Sequence, residues 1–333
     1  MARVKEGILS VIGNTPLIKL NRVFRDIHFD LYAKLECLNP GGSTKDRSAA
    51  SIIEHGIESG ALGPGTVVIE SSSGNMGIGL AQVCSHYNLS LICVVDPKTT
   101  QQNLNLLQAY GVTVDMVTEP DPQSGEFLQA RIDRVQELLQ STENSFWCNQ
   151  YANLHNALAH EQTMHEIATA LDDKVDYLFC ATSTCGTMRG CSDYVRKHGL
   201  KTTMIAVDAI GSVIFGGEKA KRLIPGHGAA MRPPLYRDDL ADDFVLVSDL
   251  SCVVGCRRLM RTESLLAGGS SGAVVAAIEQ LKYGIPKGSV CVGIFADRGE
   301  RYLDTIYSDT WVRAHFGDVA HLWTEPVEVA AYV

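Results

Sequence analysis

Short apolar runs recur along the chain with longer amphipathic stretches between them, and this alternation restricts the fold more than any other feature. LYAKLE, TVVIES, LICVVD and VTVDMV in the first half have the length and β-branched content of buried strands, as do YLFCAT, TTMIAVD, DFVLVSD and SVCVGIF in the second. The stretches between them carry 3.6-residue spacing; QQNLNLLQAYG ends at Gly111, a fitting helix C-cap. Strands without strict polar alternation belong to parallel sheets covered by helices on both faces. The expected class is therefore α/β, and the two blocks, before and after about residue 150, predict two domains with a cleft between them. Residues 216–240, rich in Gly, Pro and charge, read as a long loop over the surface or the cleft.

Lys plus Arg number 29 against 38 Asp plus Glu, a formal charge of −9. That balance argues against nucleic acid or an anionic membrane as the main partner and leaves small molecules. Hydrophobic residues make up 45% of the chain, enough for a globular core. The N-terminal MARVKEGILSVIGNTPLIKL is too polar for a signal h-region and ends in a strand-like run. No stretch approaches the roughly 18 apolar residues of a membrane span, so a cytoplasmic location is expected. The ten cysteines lie mostly inside apolar segments, none forms CxxC, and no His stands at ligand spacing from a pair. Neither a metal site nor disulfides are expected.

Three loops rich in Gly, Ser and Thr follow strands, where parallel α/β folds bind ligands. The first runs Asn39-Pro40-Gly41-Gly42-Ser43-Thr44-Lys45-Asp46-Arg47. A lysine at such a helix start, if desolvated, becomes a nucleophile toward carbonyls, although a solvated lysine is the commoner outcome. The second runs from Glu70 through Ser71, Ser72, Ser73, Gly74 and Asn75 to Gly77, and the third from Thr182 through Ser183, Thr184, Cys185 and Gly186 to Thr187. Both open helices with free N–H groups and hydroxyls, which suits a carboxylate or a phosphate; each alone reads equally as an ordinary cap. One lysine loop and two anion loops together suggest a cofactor with an aldehyde and a phosphate, pyridoxal 5′-phosphate.

NPGGSTKDR, SSSGNMG, NQYAN (149–153), STCGT and AGGSSGA (267–273) stand in the order and spacing of the fold-type II pyridoxal-phosphate enzymes. The chain resembles their cysteine synthase and cystathionine β-synthase group over roughly residues 8–312. The run 297–303 looks more like that of the second cysteine synthase isozyme, and no C-terminal regulatory module of the cystathionine β-synthase kind is expected. The resemblance implies a tryptophan synthase β-like fold. A smaller mobile substrate-binding domain would span 46–150 and a larger cofactor-binding domain 1–45 plus 151–333, each a mostly parallel sheet flanked by helices. The active site would lie in the cleft, and the chain would be a homodimer.

The same resemblance assigns roles. Lys45 would carry the cofactor, Asn75 would bond its 3′ oxygen, and Ser183, Thr184, Cys185, Gly186 and Thr187 would hold its phosphate. Cys185 stands where the commoner GTGGT has glycine, which costs energy if that position needs positive φ. Ser270 would face the pyridine nitrogen, and a serine does not force that nitrogen to stay protonated. Ser72, Ser73, Asn75 and Gln150 would take the substrate carboxylate. The chemistry implied is β-replacement through an aminoacrylate, with Lys45 as the base for the Cα proton.

Outside those motifs, VVDPKTT (94–100), EPDPQSGEFLQARIDRVQELL (119–139), VDAIGSVIFGG (207–217), IPGHGA (224–229) and YSDTW (307–311) are similar to a siderophore-pathway branch of the family. These are the N-(2-amino-2-carboxyethyl)-L-glutamate synthases of staphyloferrin B synthesis. They join O-phospho-L-serine to L-glutamate with release of phosphate, on the way to L-2,3-diaminopropionate. On this resemblance Arg131, Tyr151 and Ser183 surround the phosphoserine side chain. Arg131 reads equally as a solvated partner of Asp133 or Glu126, and Tyr151 as packing at the cleft. No site for glutamate is evident; Lys219-Ala220-Lys221-Arg222 is either part of one or a solvated loop. Arg189 and Arg232 read as surface residues, and His160 and His165, lacking a third ligand, as core or surface. The rival activities are a cysteine synthase using sulfide with O-phosphoserine or O-acetylserine, and a β-substitution with a different amine. A rival outside enzymes is a catalytically silent protein of this fold that binds or regulates a partner.

Overall fold

The structure, a computed structural model, describes residues 4–324. Two sheets organise it. The larger has six strands in the order β1 (Leu17–Lys19), β2 (Asp30–Leu35), β10 (Val290–Phe295), β7 (Tyr177–Ala181), β8 (Thr203–Ala209) and β9 (Asp243–Val247). The smaller has four, β5 (Thr113–Met116), β4 (Ser90–Val95), β3 (Val67–Ser71) and β6 (Ser145–Trp147). Every pairing is parallel except β1 with β2. The α/β class is as expected, and every apolar run named above contributes a strand. Only β6 was not anticipated, because three residues are too few to show a period.

Successive strand residues point into cores on opposite faces. On the larger sheet Phe179 and Phe295 enter one core while Leu178 and Ile294 enter the other. On the smaller, Val68 and Val95 pack on one face, Ile69 and Val94 on the other. Fully burying one such side chain stabilises by about 1.5–3 kcal/mol, so both faces must be covered. The helices that cover them include α1 (Lys45–Glu58), α2 (Asn75–His86), α3 (Gln101–Ala109), α4 (Phe127–Ser141), α5 (Leu154–Ala170), α6 (Gly186–Lys197), α7 (Asp249–Glu263) and α8 (Gly269–Leu281).

Helix α1 packs against both α2 and α5, so it joins the two layers and sets where Lys45, its first residue, stands. Gly79 permits the approach of α2, because a Cβ there would lie 3.0 Å from the Lys45 carbonyl oxygen. Behind α1 lies a buried ion network. Arg47 donates to Glu36 (2.7 and 2.8 Å) and to Glu166 (2.8 and 2.7 Å), while Lys34 Nζ reaches Glu166 at 2.5 Å and the Thr15 carbonyl at 2.6 Å. These contacts tie β2, α1 and α5 together.

Residues 210–242, between β8 and β9, contain no helix or strand, as expected of a long loop. The loop is not loose. Ser212 Oγ accepts from the Ala229 N–H at 3.0 Å, and the Gly228 N–H donates to the Thr182 carbonyl at 2.6 Å, which brings Pro225 and Gly226 to the cleft. All ten cysteines are buried. Among the described residues no helix is long and apolar enough to cross a membrane, and no group of His, Cys, Asp or Glu is placed to hold a metal.

Candidate active site

The loops beyond the carboxyl ends of β3, β4, β6, β7 and β10 converge on one cavity of about 340 Å³. Lys45, Ser72, Ser73, Asn75, Arg131, Gln150, Tyr151, Ser183, Thr184 and Ser270 all line it, so candidate residues from six separate segments meet at one place. Cys185, Gly186 and Thr187 line an adjoining cavity of about 30 Å³, whose walls also include Lys45, Ser183 and Thr184.

Lys45 Nζ has no protein hydrogen-bond partner among the described residues. Burial pushes its ammonium below the usual range, against the opposing pull of Cys180 and Asp297, which shifts the balance toward the free amine.

The 183–187 loop is braced from behind. Thr184 Oγ1 accepts from Asn156 Nδ2 at 3.1 Å, Thr187 Oγ1 meets His160 Nε2 at 3.2 Å, and Ser183 Oγ donates to the Gly228 carbonyl at 3.3 Å. Gly186 is required here, since a Cβ would stand 2.4 Å from Asn156 Oδ1. Cys185 does adopt a left-handed conformation, φ 66°, so the non-glycine cost anticipated for this position is real, of order 1 kcal/mol or more.

The 71–77 loop is held from its open side. Ser72 Oγ accepts from the Gly77 N–H at 3.0 Å, and Asn103 Nδ2 donates to the Ser73 carbonyl at 2.9 Å. Asn75 Nδ2 donates to Asp297 Oδ2 at 2.9 Å, and the Tyr302 hydroxyl reaches the same oxygen at 2.5 Å. Burial raises the Asp297 carboxyl, although these two bonds pull it back. Gln150 Nε2 donates to the Ser71 carbonyl at 3.3 Å, and its backbone N–H donates to Glu70, whose buried carboxyl is pushed up to about 8.

Arg131 pairs with neither Asp133 nor Glu126. Its Nε faces Asp96 Oδ2 at 3.2 Å, its side chain is 11% exposed, and its two terminal nitrogens have no protein hydrogen bond among the described residues. Glu126 instead pairs with Lys219 (2.6 Å), and Asp133 accepts from Gln129. Lys219 is thus engaged, Arg222 donates to the His227 carbonyl, and residues 219–222 do not line the cavity. Tyr151 lies on the cavity wall, where burial raises its hydroxyl and nearby Arg131 lowers it. Arg189 and Arg232 hold the loop carbonyls of Leu235 and Ile214. His160 is not idle core. Burial drives it well below the usual imidazole range, and its neutral ring bonds Thr187, Thr163 and, at 3.3 Å, Ser48.

Sequence reasoning missed Asp297, Tyr302, Lys98, Arg301, Asn103 and Asn156. The first two and Arg301 lie in the 297–303 run, and Lys98 lies in VVDPKTT, so a signal was available for them. Asn103 and Asn156 sit in plain helical sequence and carried none.

The site fits pyridoxal phosphate. Its smaller cavity is walled by hydroxyls and by the amino-terminal end of α6, which suits a phosphate, beside a lysine whose amine is unpartnered. Thr44 Oγ1 and Ser71 Oγ, on the larger cavity's wall, are buried polar atoms without a protein partner, the mark of a site that expects a polar ligand.

A family model described as pyridoxal-phosphate dependent enzyme matches residues 8–297, and the chain belongs to that family. Among solved structures it is similar to an O-acetylserine-dependent cystathionine β-synthase from Helicobacter pylori (31% identity, TM-score 0.86, 92% of this chain and 100% of that one). An O-ureido-L-serine synthase matches at 28% identity and TM-score 0.85, covering 94% of this chain and 100% of that one. A cysteine synthase from Entamoeba histolytica matches at 28% identity and TM-score 0.85, covering 92% and 91%. The protein is therefore a pyridoxal-phosphate-dependent enzyme of the cysteine synthase type, with the fold-type II architecture.

Proposed function

We propose that the enzyme catalyses β-replacement on O-phospho-L-serine with L-glutamate, giving N-(2-amino-2-carboxyethyl)-L-glutamate and phosphate and so feeding L-2,3-diaminopropionate for siderophore synthesis. One observation carries the reading. The Arg131 guanidinium stands with its Nε 3.2 Å from Asp96 Oδ2, while among the described residues its terminal nitrogens have no protein partner on the wall shared with Tyr151 and Ser183. A planar fork with its terminal nitrogens free suits a dianionic leaving group, whereas departing acetate does not need one.

When bound, the cofactor supplies the electron sink that labilises the Cα proton and the β-substituent. The chain does the rest. Lys45 anchors the cofactor and, kept toward the free amine by burial, moves the Cα proton at Nζ. The Ser72 and Ser73 hydroxyls and the Asn75 and Gln150 amides take the substrate carboxylate. Ser270, buried at the start of α8, presents a hydroxyl rather than a carboxylate to the ring nitrogen. Arg131, with Tyr151 and Ser183, stabilises charge on the departing phosphate. Residues 46–150 close on the remainder to exclude water, and the working unit is a cytoplasmic homodimer.

The names of the similar structures favour a second reading, a cysteine synthase using sulfide with O-phosphoserine or O-acetylserine. Mass spectrometry of products separates the two. The holoenzyme is incubated with phosphoserine, with glutamate and sulfide in separate tubes. A glutamate adduct with stoichiometric phosphate is the expected result, and cysteine alone would overturn it.

A further inference from the structure

The roles proposed for the first substrate leave two cations on the cavity wall without an assignment. Lys45, Lys98, Arg131 and Arg301 line the cavity, and among the described residues no Asp or Glu does. Arg131 has its carboxylate in Asp96; among the described residues neither Lys98 nor Arg301 has one within salt-bridge distance. Lys98 stands exposed in the turn after β4, its Nζ 5.2 Å above the Phe127 ring. Arg301 stands opposite in sequence origin, in the turn after β10. Its Nη2 donates to the Gly41 carbonyl at 2.5 Å, and its Nη1 is buried without a partner. The charge of Arg301 acts at longer range on buried Asp46 and Asp297, but neither takes that nitrogen.

A buried unpaired donor costs about 1–3 kcal/mol, so its retention beside a ligand cavity points to a partner that arrives with the ligand. Sulfide has no carboxylate for either cation to bind. Resting on the β-replacement reading above, we propose that Lys98 and Arg301 form a second-substrate subsite selective for a primary amine bearing two carboxylates. The two cations come from the two sheets, one group for each carboxylate, and the amine is left to attack. Lys45 Nζ takes the Cα proton as phosphate leaves with the electrons of the C–O bond and a Cα–Cβ double bond forms. The amine lone pair then forms the C–N bond at Cβ, the double-bond pair returns to Cα and takes a proton there from Lys45, and the surplus amine proton passes to solvent.

The test is a nucleophile series with the holoenzyme and saturating phosphoserine, comparing glutamate, aspartate, glutamine and sulfide by adduct mass and rate. The wild type is expected to prefer glutamate over glutamine at least tenfold in kcat/KM. Lys98→Gln, at an exposed position where folding is not at risk, is expected to raise KM for glutamate about tenfold, move KM for phosphoserine less than twofold, and erase most of that preference. Arg301→Lys, which keeps the charge but loses the fork, is expected to raise KM for glutamate by a smaller factor. If aspartate reacts and glutamate does not, the proposed product falls and the dicarboxylate subsite stands. A glutamate adduct whose KM and preference are unmoved by both substitutions overturns the subsite and leaves the product reading intact. Acceptance of sulfide with no dicarboxylic amine overturns both.

Discussion

The loops after β3 and β7 share one plan, a parallel strand running into a helix through small polar residues, but they are held in different ways. After β7 the hydroxyls of Ser183, Thr184 and Thr187 are bonded by Gly228, Asn156 and His160, two of which stand on α5. After β3, Ser71 Oγ is unpartnered, Ser72 bonds within its own loop, and Asn75 leans on Asp297 from the other sheet. Side chains locked by a rigid neighbour present a set geometry, whereas uncommitted hydroxyls rearrange around what arrives. The first arrangement suits a resident cofactor and the second a substrate that enters and leaves.

The comparison is broken most directly at the residue both loops face. Lys45→Ala is expected to lower turnover by at least about 10³-fold while the melting curve stays cooperative. Retained turnover would mean that the loops do not serve a lysine-centred site.

The next largest effect is expected where α5 is anchored. Glu166→Gln leaves Arg47 and Lys34 buried and short of a counter-charge, which should cost about 3–5 kcal/mol in denaturant unfolding and loosen the β7 loop. Burial alone would raise the Glu166 carboxyl, but bonds from Arg47 and Lys34 hold it down to about 2, against an ordinary value of 4.5. A depressed carboxyl stabilises the fold above its unfolded value, and that contribution is lost as pH falls from about 4.5 toward about 2. The acid limb of the stability curve should therefore flatten in E166Q, and an unchanged limb removes this network from the account.

Asn156→Ala strips the support shared by Thr184 and the Gln150 carbonyl, at about 1–3 kcal/mol. If the β7 loop is the resident cradle, equilibrium binding of pyridoxal phosphate to the apoenzyme weakens more than KM for phosphoserine rises; the reverse order would invert the comparison. Smallest of all, Cys185→Gly removes a side chain from φ 66° and should stabilise by about 0.5–1 kcal/mol with the cofactor still bound. Calorimetry showing a loss instead would give the thiol a packing role that outweighs the strain.

Much of this was legible in the residues alone. The strand runs dictate a parallel α/β fold because a strand apolar on both faces must be covered on both. The lysine and anion loops followed, since glycines and hydroxyls at helix starts leave few other uses for their backbone donors. Arg131 shows the limit. Its neighbours along α4 suggested Asp133 or Glu126, and local spacing contains nothing about Asp96, on another strand's end. Asn156 and His160 brace a loop far from them in sequence, and Asp297 meets Asn75 across the two sheets.

The sequence by itself determined every strand but β6, the class and the cofactor, because these rest on periodicity and on short motifs whose chemistry is local. Only the tertiary structure decided which charges are left unpaired in the cavity. Pairing depends on distances between segments that no single stretch encodes, and Lys98 and Arg301 acquire their meaning only because no carboxylate among the described residues lies within salt-bridge distance of their side-chain charges.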